Sequence, residues 1–245
     1  THTHTHTHTY AQTPNMAAVT ADSSSKPTIY YWNKIRSRTF YMGVMLACTD
    51  NLKNVVLAGE DSEGKPIPYP GTPEWDALTP HTKSPWNTLP ALVDKESGTY
   101  IGESGAIARW LIKKFDLAPS DLKLYATSEQ SIEKVGDINA MIGSAHYAPN
   151  RTEGMDALFA EGSRLQKLLA GIESTFEGEG PFVGSAATPG DYMLAGGLFM
   201  LTLLEADCLN AYPKCKALSD HVMNLDAAKA YLESVPYNYF KRHSD

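Results

Sequence analysis

Four groups of residues between Tyr31 and Ser104 are suited to holding a small acidic thiol: Tyr31-Trp32, Trp75, Trp86-Asn87-Thr88-Leu89-Pro90 and Glu103-Ser104. A free thiol is mostly protonated near neutral pH and its thiolate is the nucleophile, so a protein that uses one must favour the anion. A phenol that donates a hydrogen bond to sulfur does so. Each unit by which the thiol pKa falls takes about 1.4 kcal/mol of preferential stabilisation, within reach of one charge-assisted hydrogen bond and a nearby helix N-terminus. Tyr30 and Tyr31 compete for that donor role, because side chains alternate along a strand and only one can face the site.

These residues need elements to position them. A short strand ends at the tyrosine pair, and an apolar helix follows through Phe40, Val44, Met45 and Leu46. Val55-Val56-Leu57 is the candidate second strand, set in a loop from Asn51 to Asn87 rich in Gly, Pro and charge. So long a loop within a compact domain is usually functional or mobile. Leu89-Pro90 before Ala91-Leu92-Val93 predicts a turn entering a strand, since proline has no N–H to give a sheet. Thr99-Tyr100-Ile101 is the next strand. Gly102-Glu103-Ser104 then opens a helix whose apolar face, Ile107, Trp110, Leu111 and Phe115, has amphipathic spacing.

Beyond Phe115 the stretch 116–124, with Pro119, predicts a linker, and the remainder predicts helices at roughly 125–147, 153–176, 188–206, 214–224 and 226–234. Thr188-Pro-Gly-Asp191 is a capping box with proline at the first helical position. The predicted domains are 28–115 and 125–245, preceded by a disordered lead or tag over residues 1–27 in which Thr1 to Thr9 alternates threonine and histidine. Met16 is the candidate native start.

The order strand, helix, strand, long loop, paired strands, helix resembles the thioredoxin-like half of cytosolic glutathione transferases, and most of all their mu class. There Tyr-Trp ends the first strand, a tryptophan sits in the loop, Asn-Leu-Pro precedes the third strand and Gln-Ser opens the third helix. Tyr31-Trp32, Trp75, Thr88-Leu89-Pro90 and Glu103-Ser104 stand at those places. Asp137, Tyr147-Ala148-Pro149, the Phe-x-Gly-(x)3-Thr-x-x-Asp run at Phe182–Asp191 and Cys208 to Pro213 continue the likeness over about residues 28 to 236. It implies an α/β plus all-α fold, a thioredoxin-like N-terminal domain followed by an all-helical glutathione transferase C-terminal domain.

The resemblance also implies roles. Tyr31 would stabilise the glutathione thiolate, and Tyr147 would assist attack on the electrophile as a general acid. Ser104 would take the γ-glutamyl carboxylate at a helix start, with Glu103 and, across a dimer interface, Asp137 facing the ammonium. Leu89, before a cis-Pro90, would pair its backbone with the cysteinyl unit, and Thr88 stands where the family has asparagine. Trp32, Trp75 and a lysine would meet the glycyl carboxylate. The family lysine falls at Thr79 here, so Lys83 is the candidate. Trp86 would be a dimer lock, unless it is an ordinary core tryptophan, and Arg38 with Tyr147 would line the electrophile pocket. One extra residue in Asn33–Arg36 alters the loop after the first strand.

Composition excludes more than it assigns. The 245 residues carry a formal charge of -7, which leaves no basic footprint for nucleic acid. Cys48, Cys208 and Cys215 form no metal-ligand spacing, and their odd number points to a reducing, cytoplasmic setting. No apolar run is long enough for a membrane span. No metal or bound organic cofactor is expected; the expected partners are glutathione as co-substrate, a small hydrophobic electrophile and a second copy of the chain. A glutathione-dependent isomerase and a non-catalytic binding or structural protein of the same fold are the alternatives.

Overall fold

The computed structural model describes residues 26–32, 34–61, 63–78, 82–178 and 180–242. The expectation of a disordered lead therefore lies almost wholly outside the described residues.

Strand β1 (Thr28–Tyr30) runs into a loop that contains the short strand β2 (Ile35–Arg36), and helix α1 (Phe40–Cys48) follows. Strand β3 (Val56–Ala58) comes next, then the one-turn helix α2 (Pro73–Asp76), strands β4 (Ala91–Asp94) and β5 (Thr99–Gly102), and helix α3 (Ser104–Lys114). The sheet order is β3-β1-β4-β5, with β3 parallel to β1 and the other two pairings antiparallel. Register decides the location of the site. Tyr30 is opposite Ala91, and Ala91 is opposite Gly102. The residues that flank these positions, Tyr31, Pro90 and Glu103-Ser104, therefore meet at one end of the sheet.

Among the described residues six helices follow: α4 (Leu122–His146), α5 (Arg151–Phe159), α6 (Arg164–Thr175), α7 (Pro189–Thr202), α8 (Pro213–Met223) and α9 (Asp226–Ser234). Helix α4 starts inside the expected linker, because the Asp121 carboxylate accepts from the Leu124 N–H at 2.8 Å and so caps a helix start at Leu122. The single helix expected over 153–176 is two. Gly162 takes a left-handed φ of 71° that breaks the run, and the Ser163 hydroxyl caps α6 through the Gln166 N–H.

Helix α7 is the buried axle of the structure. The Asp191 carboxylate accepts from the N–H groups of Thr188 and Val183 at 2.8 and 2.9 Å, while the Thr188 hydroxyl caps the Asp191 N–H. A Cβ on Gly190 would come within 2.2 Å of the Ser128 backbone, and one on Gly196 within 3.1 Å of Tyr41. These two glycines let α7 press on α4 and α1, joining the halves through one core. A sixth strand, β6 (Tyr237–Asn238), pairs in parallel with β2, and Arg36 reinforces it with bonds to Asn238 Oδ1 and the Leu232 carbonyl. The C-terminal tail is thereby tied to the loop after β1. Among the described residues no helix is long and apolar enough to cross a membrane, and no group of side chains could hold a metal ion.

Candidate functional site

Tyr31 leaves the end of β1 with its side chain buried, 4% exposed. Its backbone N–H still bonds Ala58 O at 3.0 Å, which fixes the ring beside the start of α1. The phenol donates to Ser37 Oγ at 3.0 Å. Burial pushes its pKa up to about 12, against the opposing pull of the Ser37 hydroxyl and the Arg38 backbone N–H. Tyr31 is therefore a protonated hydrogen-bond donor throughout the neutral range. Tyr30 points to the other face, against Ile67, Trp75 and Leu78.

A second phenol stands close to the first. Tyr41, on the first turn of α1, is near enough to raise the pKa of Tyr31, and its own hydroxyl reaches Ser104 Oγ at 3.5 Å. Burial raises Tyr41 as well. Ser37, Tyr31, Tyr41 and Ser104 thus form a row of hydroxyls from the start of α1 to the start of α3. Sequence reasoning missed Tyr41; its one signal was a tyrosine inside an otherwise apolar helix. Ser104 is the first residue of α3, where helix N–H groups lack intrahelical partners and favour an anion. Glu103 before it holds a left-handed φ of 65°. Such backbone strain in a non-glycine residue collects at ligand-binding positions. The Leu89–Pro90 bond beside it is cis.

The opposite face of the sheet carries the indoles. Trp75 is buried, 3% exposed, in α2. Lys83 Nζ donates to the Trp75 carbonyl at 2.8 Å and lies 5.4 Å from the centre of its ring. The Trp32 indole N–H donates to the Pro68 carbonyl at 3.2 Å, so loop carbonyls hold two of the three groups expected at the glycyl carboxylate. Thr88 bonds Ser84 side chain to side chain at 2.8 Å, and its backbone carbonyl accepts from the Ser84 N–H. That closes the turn leading to Leu89-Pro90.

Tyr147 caps the end of α4 and is 65% exposed. Its hydroxyl lies 2.6 Å from that of Tyr239, whose ring stacks parallel to Trp32 at 6.1 Å. Burial and the neighbouring Tyr147 push the Tyr239 phenol up to about 12. Tyr147 and Trp32 thus border one rim through the C-terminal tail. Arg38 is exposed beside the Tyr31 row, close enough for its charge to lower both phenol pKa values. His146 is buried and its pKa is lowered by burial and then by Arg151, in keeping with a helix-end histidine. Asp137 pairs with Lys134 at 2.5 Å on α4. Trp86 turns outward, 70% exposed. It is not a core residue of this chain.

Residues 136–235 match the family model of the glutathione S-transferase C-terminal domain. Bovine glutathione S-transferase A1 is 24% identical over 212 residues, 86% of this chain and 89% of its own length. The chain has the glutathione S-transferase fold. Glutathione S-transferase Mu 1 of Macaca fascicularis is 29% identical over 154 residues, but that alignment covers 60% of this chain and 65% of the relative. Among solved structures, a pi-class glutathione S-transferase of Onchocerca volvulus superposes with a TM-score of 0.69 at 21% identity, covering 85% of this chain and 92% of that one. The thioredoxin-like sheet and the all-helical second half both follow this pattern.

Proposed function

We propose that this protein is a glutathione transferase that adds the glutathione thiolate to small hydrophobic electrophiles. The observation that carries this reading is the sheet register, which gathers a buried, protonated Tyr31 phenol, Leu89-Pro90 and the Ser104 helix start at one edge. In the proposed site the γ-glutamyl carboxylate sits at Ser104 and the first N–H groups of α3, with Glu103 toward the ammonium. The Leu89 backbone pairs with the cysteinyl unit, and Thr88 holds the turn. Trp32 and Lys83 bind the glycyl carboxylate by exchanging their bonds to the Pro68 and Trp75 carbonyls for it, with the Trp75 indole beside them.

Tyr31 then turns its O–H from Ser37 to the sulfur, and the thiol proton leaves to solvent as the anion forms. Holding the two reactants together supplies much of the rate. Sulfur attacks the electrophile, and the Tyr147 O–H supports the oxygen on which charge grows in an epoxide or an enone, with Arg38 at the mouth. No metal or prosthetic group is needed for these steps.

The proposed assembly is a homodimer. Trp86 is an exposed aromatic, and a cavity of about 410 Å³ between α4 and α5, bordered by Met141, Ala145, Leu158 and Asp137, is suited to receive it from a second copy. Asp137 would then lie at the interface, as needed to reach the neighbour's glutathione. The proposed domains are 28–115 and 125–245. The Tyr31-Trp32 and Trp75 arrangement supports a mu-like clamp, while the alpha-class relative aligns over more of the chain than the mu relative does. Three cysteines, all unpaired, fit a cytoplasmic protein. The test is turnover of 1-chloro-2,4-dinitrobenzene with glutathione. Saturation in both reactants is expected; no conjugation together with no glutathione binding overturns the proposal.

A further inference from the structure

Tyr147 is exposed at the end of α4, and a phenol so placed can turn its hydroxyl in many directions. Here its oxygen lies 2.6 Å from that of Tyr239, and Tyr239 is held firmly. The β2–β6 pairing ends one residue before it, and its own N–H bonds the Arg36 carbonyl at 3.4 Å. Its ring stacks on Trp32 at an interplanar angle of 5° and lies 5.6 Å from the His146 ring. Phe240 follows, buried and edge-on to His146 at 5.3 Å, and Arg242 pairs with Asp156 and Glu205. The pair carries a proton on each oxygen, and one of them lies between the two. Tyr239 is the more buried partner, and a buried O–H finds its acceptor within the protein. Its phenol pKa, pushed up to about 12, agrees. Tyr239 therefore donates and Tyr147 accepts, which leaves the Tyr147 O–H free to point outward. A hydroxyl that accepts one hydrogen bond donates the next more strongly.

We infer that Tyr239 is the positioning residue that makes Tyr147 an acid toward conjugated carbonyl compounds, so that small enones and enals are the electrophiles this site is built to take. The inference rests on the transferase reading and deepens it. Trp32, whose ring is 5.0 Å from that of Tyr31, and Tyr239 stand between Tyr31 and the Tyr147 hydroxyl, so sulfur and acid act at separate atoms. A conjugated carbonyl meets that demand, because its oxygen stands apart from the carbon that sulfur attacks. The S–C bond forms at the β carbon, the C=C π pair shifts to give an enolate whose oxygen keeps the Tyr147 hydrogen bond, and the α carbon takes a proton from water. Nothing leaves, and the proton that the thiol released to solvent is returned. As charge grows on the enolate oxygen, the Tyr147 O–H bond to it shortens and Tyr239 supports the phenol from behind. An aryl halide draws less on the pair, since its charge spreads over the ring and nitro groups and departs with chloride.

The test compares kcat for trans-4-phenyl-3-buten-2-one and for 1-chloro-2,4-dinitrobenzene at saturating glutathione in the wild type, Tyr239→Phe, Tyr147→Phe and the double variant. Tyr239→Phe keeps its ring on Trp32 and should lower the ratio of enone to aryl-halide kcat about fivefold, the loss of one net hydrogen bond. In the Tyr147→Phe background the same change should alter that ratio less than about twofold, because the two residues act as a unit. An unchanged ratio in Tyr239→Phe, as a merely structural role would give, or losses that multiply in the double variant, overturns the inference. A second readout needs no turnover. 4-(Dimethylamino)cinnamaldehyde bound beside S-methylglutathione should absorb furthest to the red in the wild type, less so in Tyr239→Phe and least in Tyr147→Phe. The same absorbance in all three, or no binding up to millimolar probe, overturns the inference even where aryl-halide turnover upholds the transferase reading. Failure of that reading shows instead as no conjugation of either electrophile, and the absorbance series then decides the inference alone.

Discussion

Replacing Tyr31 by phenylalanine removes one oxygen from the site and leaves the ring in its packing. A hydrogen bond to a charged group contributes about 1.5–3 kcal/mol net, and about 1.4 kcal/mol is one pKa unit. Loss of the phenol should therefore raise the bound thiol pKa by about one to two units, from near 7 toward the roughly 8.5 of an unperturbed thiol. At pH 6.5 the thiolate fraction then falls about 10- to 50-fold, and kcat/KM for an aryl halide falls with it. The assay is kcat/KM for 1-chloro-2,4-dinitrobenzene at saturating glutathione from pH 6 to 9.5. The variant's deficit should shrink steadily as pH rises past 8.5, because free ionisation then supplies the anion. The substitution also leaves Ser37 Oγ and the Arg38 N–H facing a ring edge, so thermal unfolding should be followed in parallel to show that the chain stays folded. A deficit that is the same at every pH, or a rate within twofold of wild type at pH 6.5, would refute the reasoning.

Other outcomes follow from the same geometry. Ser104→Ala should raise the KM for glutathione about tenfold or more, with kcat little changed, since it removes a hydrogen bond to a bound carboxylate. Trp86→Ala should shift the species seen by analytical ultracentrifugation from dimer toward monomer, because truncating a central aromatic anchor typically costs about 2 kcal/mol or more. Asp191→Ala should lower stability by about 2–4 kcal/mol in urea titrations, since it leaves the N–H groups of Val183 and Thr188 without a partner. The alkaline limb has a definite sign. Tyr31 has a folded pKa near 12 against about 10 unfolded, so its contribution is whole below pH 10 and is lost as pH rises toward 12. Tyr31→Phe should flatten that loss by on the order of 1 kcal/mol between pH 9 and 11, measured as unfolding free energy.

The parts of the fold that rest on local chemistry were legible in the sequence. Proline before Ala91, the capping box at Thr188 and the spacing from Ile107 to Phe115 each state a local rule, and β4, α7 and α3 stand where those rules put them. What escaped was settled by contacts between distant segments. Strand β2 is two residues long and exists because β6, some 200 residues later, pairs with it. The break at Gly162 depends on one residue's left-handed backbone, a weak signal inside a run that otherwise favours helix. At the site, alternation along β1 separates Tyr31 from Tyr30, but the neighbour that Tyr31 meets across α1, Tyr41, is a tertiary fact. Lys83 and Trp32 illustrate the same limit. Their side chains have the donors a carboxylate needs, and the carbonyls of Pro68 and Trp75 that hold those donors are tertiary partners. Trp86 and Asp137 acquire a purpose only with a second chain.

The central claim is that one buried phenol keeps a sulfur anion in place, and the ultraviolet absorbance of the thiolate reports it directly. Titration of glutathione bound to the wild-type chain should give a thiol pKa about one to two units below that of the free tripeptide, and Tyr31→Phe should return it to the free value. A bound thiol that titrates with the free one in the wild type, or a depressed pKa that survives in Tyr31→Phe, would contradict the account.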